Sequence, residues 1–210
     1  VATDPLAVAD ADSLGLVGAG VQSSTQLRAI ASVRDIERVV IADQSDAKQR
    51  AFVEAFEDEF DVRAGSIADA AGCDVLSTIT PVESPIVDRE WLGEHTHVNA
   101  IGADAAGKHE HDDQTLLDAT VVIDDVEQCT HSGEINVPWR AGTLDEGDIY
   151  GEIGAIVAGE IPGREAVDGL TLFDSTGLAI QDVAAAHVAY EGARAAGAGT
   201  DFTLVGTDTT

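Results

Sequence analysis

Short, continuous apolar runs recur along the first two thirds of the chain, each followed by a stretch with helical spacing. Leu14-Gly15-Leu16-Val17 is the first run, and a glycine-rich turn leads from it into a predicted helix over residues 21–33. Residues 38–42 (R-V-V-I-A) predict a second strand, and residues 45–60 a helix with Phe52, Ala55 and Phe56 on one face. Residues 74–78 (D-V-L-S-T) and 97–101 (H-V-N-A-I) predict further strands, and 112–119 a short helix leading into Val121-Val122-Ile123. Val/Ile/Leu runs without polar alternation are expected of parallel strands covered on both faces. Strand–helix alternation with right-handed crossovers then gives an α/β fold with a doubly wound, mostly parallel sheet.

The last third has a different rhythm. Residues 149–158 predict a helix, 170–173 a strand and 176–196 a long helix, with Ile180, Val183, Ala184, Val188 and Ala195 on its apolar face. Gly197 and Gly199 end that helix, and residues 202–205 (F-T-L-V) predict a terminal strand. Residues 1–12 show no clear element, and the sequence contains no methionine, so its opening reads as a cut. The domain reading is therefore a remnant of a connecting segment at 1–13, a nucleotide-binding domain at 14–174, and a helix and strand at 175–210 belonging to a truncated second domain.

Charge changes the picture next. The chain carries 39 acidic residues against 11 basic ones, a net charge of -28, and its only lysines are Lys48 and Lys108. Such a surface repels phosphate backbones and anionic membranes, which argues against nucleic-acid and lipid partners. The acids are spread over helix faces and loops, as at Glu54, Glu57, Asp58 and Glu59, rather than forming one block. That distribution predicts a folded protein of a salt-rich, halophilic cytoplasm, where screening removes self-repulsion. No apolar run approaches the ~20 residues of a membrane-spanning helix. Cys73 and Cys129 form no C-x-x-C and are read as buried thiols of a reducing compartment.

Gly18-Ala19-Gly20-Val21-Gln22-Ser23 lies between a predicted strand and a predicted helix. The first glycine permits the tight turn, and the second lets a pyrophosphate approach unpaired amides at the helix N-terminus. Ser23, at the third position, is small enough for close helix–strand packing. Asp43 follows at the end of the second strand, placed to bond adenosine ribose hydroxyls and to repel a 2′-phosphate. The set predicts a Rossmann-type site for NAD in preference to NADP.

Asp104 lies in a second glycine region, I-G-A-D-A-A-G-K at 101–108, after another predicted strand. Its carboxylate either accepts a proton from a substrate amine or caps the next turn; the residues alone favour neither. Lys108 either neutralises a substrate carboxylate or pairs with Glu110. His95/His97 and His109/His111 have the i, i+2 spacing of a metal pair on a strand, but no third ligand recurs, and no metal is assigned.

From Leu14 onward the sequence resembles the ornithine cyclodeaminase / archaeal alanine dehydrogenase / mu-crystallin family. The segments that carry the resemblance are L-G-L-V-G-A-G-V-Q at 14–22, S-T-I-T-P-V-E-S-P-I-V at 77–87 and N-A-I-G-A-D at 99–104. To these are added S-G-E-I-N-V-P at 132–138 and L-T-L-F-D-S-T-G-L-A-I-Q-D-V-A at 170–184. The resemblance implies a Rossmann domain joined to a dimerising substrate domain, and hydride transfer from the α-carbon of a small L-amino acid to NAD through an imine that releases ammonia. It implies Asp104 as the catalytic aspartate, with Gly18, Ala19, Gly20, Val21, Gln22 and Asp43 at the cofactor. Thr78 and Thr80 are implied on the loop that follows it, Ser175 on the turn beside the nicotinamide. The family's cationic substrate residues belong to a preceding region of roughly one hundred residues that this sequence does not contain. NAD binding with little or no turnover is therefore expected, the whole protein being a homodimeric amino-acid enzyme. A mu-crystallin-like ligand binder and an imine reductase stay open as alternatives.

Overall fold

The computed structural model describes residues 1–200 and residue 202. Among the described residues, eight strands form one sheet in the order β3-β2-β1-β4-β5-β8-β6-β7, and every pairing is parallel. The strands are β1 (Ser13–Val17), β2 (Arg38–Ala42), β3 (Asp61–Ala64), β4 (Val75–Thr78), β5 (His97–Ala100), β6 (Thr120–Ile123), β7 (Ile149–Glu152) and β8 (Thr171–Asp174). Around them lie helices α1 (Thr3–Leu6), α2 (Val21–Ala31), α3 (Asp46–Phe56), α4 (Ile67–Ala71) and α5 (Asp113–Asp118). They are followed by α6 (Val126–Ser132), α7 (Asn136–Ala141), α8 (Ile153–Val157) and α9 (Ala179–Ala196). This is the expected doubly wound α/β fold of Rossmann type.

Alternation along the strands explains how one sheet supports cores on both faces. On β2, Val39 and Ile41 pack with Leu27, Ile30, Phe52 and Phe56 of α2 and α3, whereas Val40 and Ala42 join Ala70 and Ala71 of α4. On β6, Val121 and Ile123 enter the second of these clusters, and Val122 turns to a third with Leu6, Ile153, Ile156 and Phe173. Each buried Leu or Ile of this kind contributes roughly 1.5–3 kcal/mol.

Several elements depart from the sequence reading. The stretch 149–158, read as one helix, is the edge strand β7 followed by the one-turn helix α8. Ile149 and Tyr150 favour a strand, and a half-buried edge lacks the apolar run that marks a central one. For the same reason β3, with only Val62 turned inward, carries no strand signal in the sequence. Residues 1–12, read as featureless, contain α1, whose Leu6 is fully buried. Helix α3 stops at Phe56, short of Phe60.

Two compact units are distinguished, Val1–Thr176 and Gly177–Thr210. The second contains α9, which ends at Gly197 in the left-handed conformation (φ 64°), as expected of a C-terminal glycine. No residue of α9 is buried, and Ile180, Val183 and Val188 are exposed. Of the terminal strand expected at 202–205, only Phe202 is among the described residues, and it lies outside any strand.

Candidate functional site

Parallel register aligns the site. Val17 pairs with Ala42 and Thr78, Thr78 with Ala100, and Ala100 with Asp174, so β2, β1, β4, β5 and β8 end level at their C-termini. The loops that follow, carrying Gly18–Gln22, Asp43, Thr80, Asp104 and Ser175, therefore stand along one edge. In open α/β sheets that edge, where strand order reverses, is where ligands bind.

The glycine loop is tightly fastened. The Gly18 amide donates to the Ala42 carbonyl at 2.8 Å, and the Ala19 amide to Asp43 Oδ2 at 2.8 Å. Gly18 has φ +107°, and a Cβ there would stand 2.8 Å from the Ile79 carbonyl oxygen, so the turn requires glycine. At Gly20, the N-cap of α2, no atom lies within 4 Å of where a Cβ would be, and no side chain caps the helix. The Ser23 amide turns back to the Gly20 carbonyl at 3.2 Å, which leaves the Val21 and Gln22 amides at the uncapped start of the helix. Ser23 is buried as the close packing of α2 demands, and its hydroxyl donates to the Gly20 carbonyl at 2.7 Å.

Beside this loop lies a cleft of about 910 Å³ walled by Gly18, Gly20, Asp43, Lys48, Ser66, Thr80 and Ile86. Asp43 sits half-buried at its rim, with Oδ1 accepting from the Ser45 amide at 2.9 Å. Val21 and Gln22 are exposed on the first turn of α2.

Thr78 and Thr80 part company. Thr80 walls the cleft, but Thr78 is not on the loop: it is the last residue of β4, fully buried, with Oγ1 3.1 Å from His111 Nε2. Even spacing puts the two on the same face, yet the strand ends between them and the chain turns away. Ser175 follows β8, its amide donating to the Ala100 carbonyl at 3.0 Å.

Asp104 is exposed, and Lys108 Nζ donates to its Oδ1 at 2.6 Å. That bond holds the Asp104 carboxyl below its ordinary range. The expected pairing of Lys108 with Glu110 is thereby corrected. Glu110 is fully buried, with Oε1 accepting from the Thr80 amide at 2.7 Å and hydroxyl at 2.6 Å, and Oε2 from the Gly102 amide at 3.0 Å.

Beneath the Asp104 loop lies a buried polar layer to which the sequence reading gave no role. Asn136 Oδ1 accepts from the Gly107 amide at 2.8 Å, and its Nδ2 donates to the Lys108 carbonyl at 2.7 Å. Glu134 accepts from the amides of Glu110 and His111, and Asp174 from those of Glu134 and Ile135. Burial raises the Glu110 and Glu134 carboxyls and pushes Asp174 up to about 7. Glu134 and Asn136 fall in S-G-E-I-N-V-P, Glu134 in the turn between α6 and α7 and Asn136 at the start of α7.

The paired histidines separate. His95 is half-exposed, 3.4 Å from Asp168, while His97 is buried with Nδ1 2.9 Å from Thr171 Oγ1 and Nε2 3.2 Å from Asn99 Oδ1. Among the described residues no group of three or more His, Cys, Asp or Glu is placed to hold a metal ion, and no helix is long and apolar enough to cross a membrane.

Sheet order, glycine turn and edge cleft together define a Rossmann-type nucleotide-binding domain. Its family is plain: residues 1–197 match the ornithine cyclodeaminase/mu-crystallin family, and the chain belongs to it. It is 43% identical over 194 residues to an alanine dehydrogenase of Archaeoglobus fulgidus, covering 92% of this chain and 60% of the relative. An archaeal alanine dehydrogenase dimer with bound NAD superposes with a TM-score of 0.92 at 41% identity, over 97% of this chain and 64% of that one. The Thermococcus litoralis Delta(1)-pyrroline-2-carboxylate reductase, in complex with NADH and L-proline, superposes with a TM-score of 0.90 at 35% identity, over 96% and 64%. The chain thus spans about three fifths of these relatives' length.

Proposed function

We propose that this chain is the NAD-binding portion of an enzyme that oxidises the α-carbon of a small L-amino acid and releases ammonia through an imine. The observation that carries the reading is the open N-terminus of α2, set between the Gly18–Gly20 turn and the Asp43 carboxylate on one cleft. The pieces fit a dinucleotide: the α2 amides suit a pyrophosphate, the space over Gly20 admits it, and Asp43 keeps acceptor positions for ribose hydroxyls. The NAD- and NADH-bound neighbours support the same assignment. A dinucleotide held by these residues would supply the hydride acceptor for the substrate's α-carbon.

The chain's residues then orient and charge the site. Ala19, Val21 and Gln22 belong to the pyrophosphate turn, Thr80 and Ser175 to the loops toward the nicotinamide, and Asp104 to the substrate side. Ionised and bonded to Lys108, Asp104 is suited to grip a protonated substrate amine. It becomes a proton acceptor when Lys108 swings to a substrate carboxylate. Thr78, bonded to His111, supports this edge from below.

In the domain reading, 14–174 holds the cofactor, 1–13 connects, and 175–210 returns to a substrate and dimerisation domain of a homodimeric, cytoplasmic protein. A ketimine reductase is the second reading, favoured by the likeness to the Thermococcus reductase. Absorbance at 340 nm separates these outcomes. The chain alone, given NAD with alanine, ornithine or lysine, or NADH with pyrroline-2-carboxylate, should give no sustained change in that absorbance. Steady NADH formation would show that this chain carries the reaction by itself, and turnover confined to the pyrroline substrate would favour the reductase.

A further inference from the structure

Three loops at the cofactor edge are nested, and one buried carboxylate joins two of them. The turn after β1 rests on the loop after β4, because a Cβ on Gly18 would stand 3.2 Å from Thr80 Cγ2. The loop after β5 rests on the same residue, because a Cβ on Gly102 would overlap the Thr80 carbonyl oxygen. Glu110 closes this arrangement from inside: Thr80 gives Oε1 two donors and Gly102 gives Oε2 one. Its own amide is held by Glu134 at 2.8 Å. Asp104 lies two residues beyond Gly102, and Thr80 walls the cleft.

Burying a carboxylate is costly unless donors are aimed at it. Here the donors come from the two loops whose relative position matters most: one borders the cofactor cleft and the other carries the candidate catalytic aspartate. A glutamate used only to fill space would be replaceable by an apolar side chain, which would leave the Thr80 and Gly102 amides unpaired.

We propose, resting on the dinucleotide reading above, that Glu110 is a positioning residue that locks the Asp104 loop to Thr80. Filling the cleft then orders Asp104. The coupling passes through one side chain, from Thr80 to Oε1 and from Oε2 to Gly102. Asp104 is thereby held for substrate more firmly when the cofactor is in place.

Hydrogen–deuterium exchange on the full chain in molar potassium chloride, with and without NAD, tests this. In the wild type NAD slows exchange at residues 18–22 and also at 102–108, although the cleft is walled by Gly18, Thr80 and Ile86. Glu110→Gln turns one acceptor into a donor facing an amide. It is expected to speed exchange at 102–108 roughly tenfold without NAD, to abolish NAD protection there, and to keep it at 18–22. Amides of β1 and β5 stay unchanged, which a general loss of stability would not allow. Should Glu110→Gln fail to fold, Thr80→Val removes the hydroxyl donor alone and moves 102–108 in the same direction by about threefold. Unaltered exchange at 102–108 in the variant that folds would overturn the proposal. Wild-type protection at 18–22 without protection at 102–108 would overturn the coupling and leave the dinucleotide reading standing. Absence of protection at both would overturn both.

Discussion

The Ala19 amide donates to Asp43 Oδ2 at 2.8 Å, so the residue that faces the ribose in the proposed complex also fastens the glycine turn. The second oxygen accepts from the Ser45 amide at 2.9 Å, tying the turn to the start of α3. Asp43 thus has two separable properties, its charge and its acceptor geometry.

Asp43→Asn keeps a carbonyl oxygen for Ala19, turns a donor toward the Ser45 amide, and removes the charge that repels a 2′-phosphate. The NADP-to-NAD affinity ratio is expected to rise about tenfold, the size of one charge–phosphate interaction in a partly wet cleft. Asp43→Ala releases the turn as well and should weaken both nucleotides. Calorimetric titration of each variant with each nucleotide checks the split.

The two glycines of the turn should fail differently. Gly18→Ala forces a side chain into a positive-φ position and against the Ile79 carbonyl, at a cost of about 1–3 kcal/mol in urea unfolding. Gly20 has φ −85° and empty space around its missing Cβ, so Gly20→Ala should cost only what a poorer N-cap residue costs, about 0.5–1 kcal/mol. Its methyl group would nonetheless occupy the pyrophosphate's approach, and NAD affinity should fall at least about tenfold.

Strong periodic features were legible in the sequence, and those arising from tertiary context were not. The central strands β1, β2 and β6 are legible as Val/Ile/Leu-rich runs because both of their faces are covered, whereas β4, β5 and β8 each combine two apolar residues with two buried polar ones. The edge strands β3 and β7 are half-wet and show no such run. Among the candidate site residues, the placement of Gly18, Gly20 and Asp43 is legible because each stands where a local strand ends and turns toward a helix. That of Glu110, Glu134 and Asn136 is not, since each acquires its role from amides brought to it by the fold. Glu110 even misled: two residues from Lys108, it suggested a surface pair, whereas the chain turns it inward and gives Lys108 to Asp104.

His97 should make the fold acid-sensitive. Burial pushes its imidazole down to about 3 from an ordinary 6.5, so it stays neutral in the native state while the unfolded chain takes up a proton. Its contribution is fully present above pH 6.5 and is lost as pH falls toward 3. In His97→Gln that loss is absent. The stability difference between wild type and variant should therefore shrink by about 2 kcal/mol from pH 7 to pH 4.5, carboxylate effects common to both cancelling. Urea unfolding at the two pH values measures it.

The thiols should be inert. Burial pushes Cys73 up to about 11 and raises Cys129 further, while Cys129 Sγ lies 3.1 Å from Asp124 Oδ1. Neither should react with a thiol reagent at pH 8 in the folded protein, and both should react in denaturant. Labelling followed by intact-mass measurement reads this directly.

The central claim is that the Gly18–Gly20 turn and Asp43 form an NAD site, and calorimetric titration of the full chain in molar potassium chloride tests it most directly. Saturable binding of one NAD per chain, with NADP at least about tenfold weaker, is the predicted result. A folded chain that binds neither nucleotide, or both equally, would contradict it.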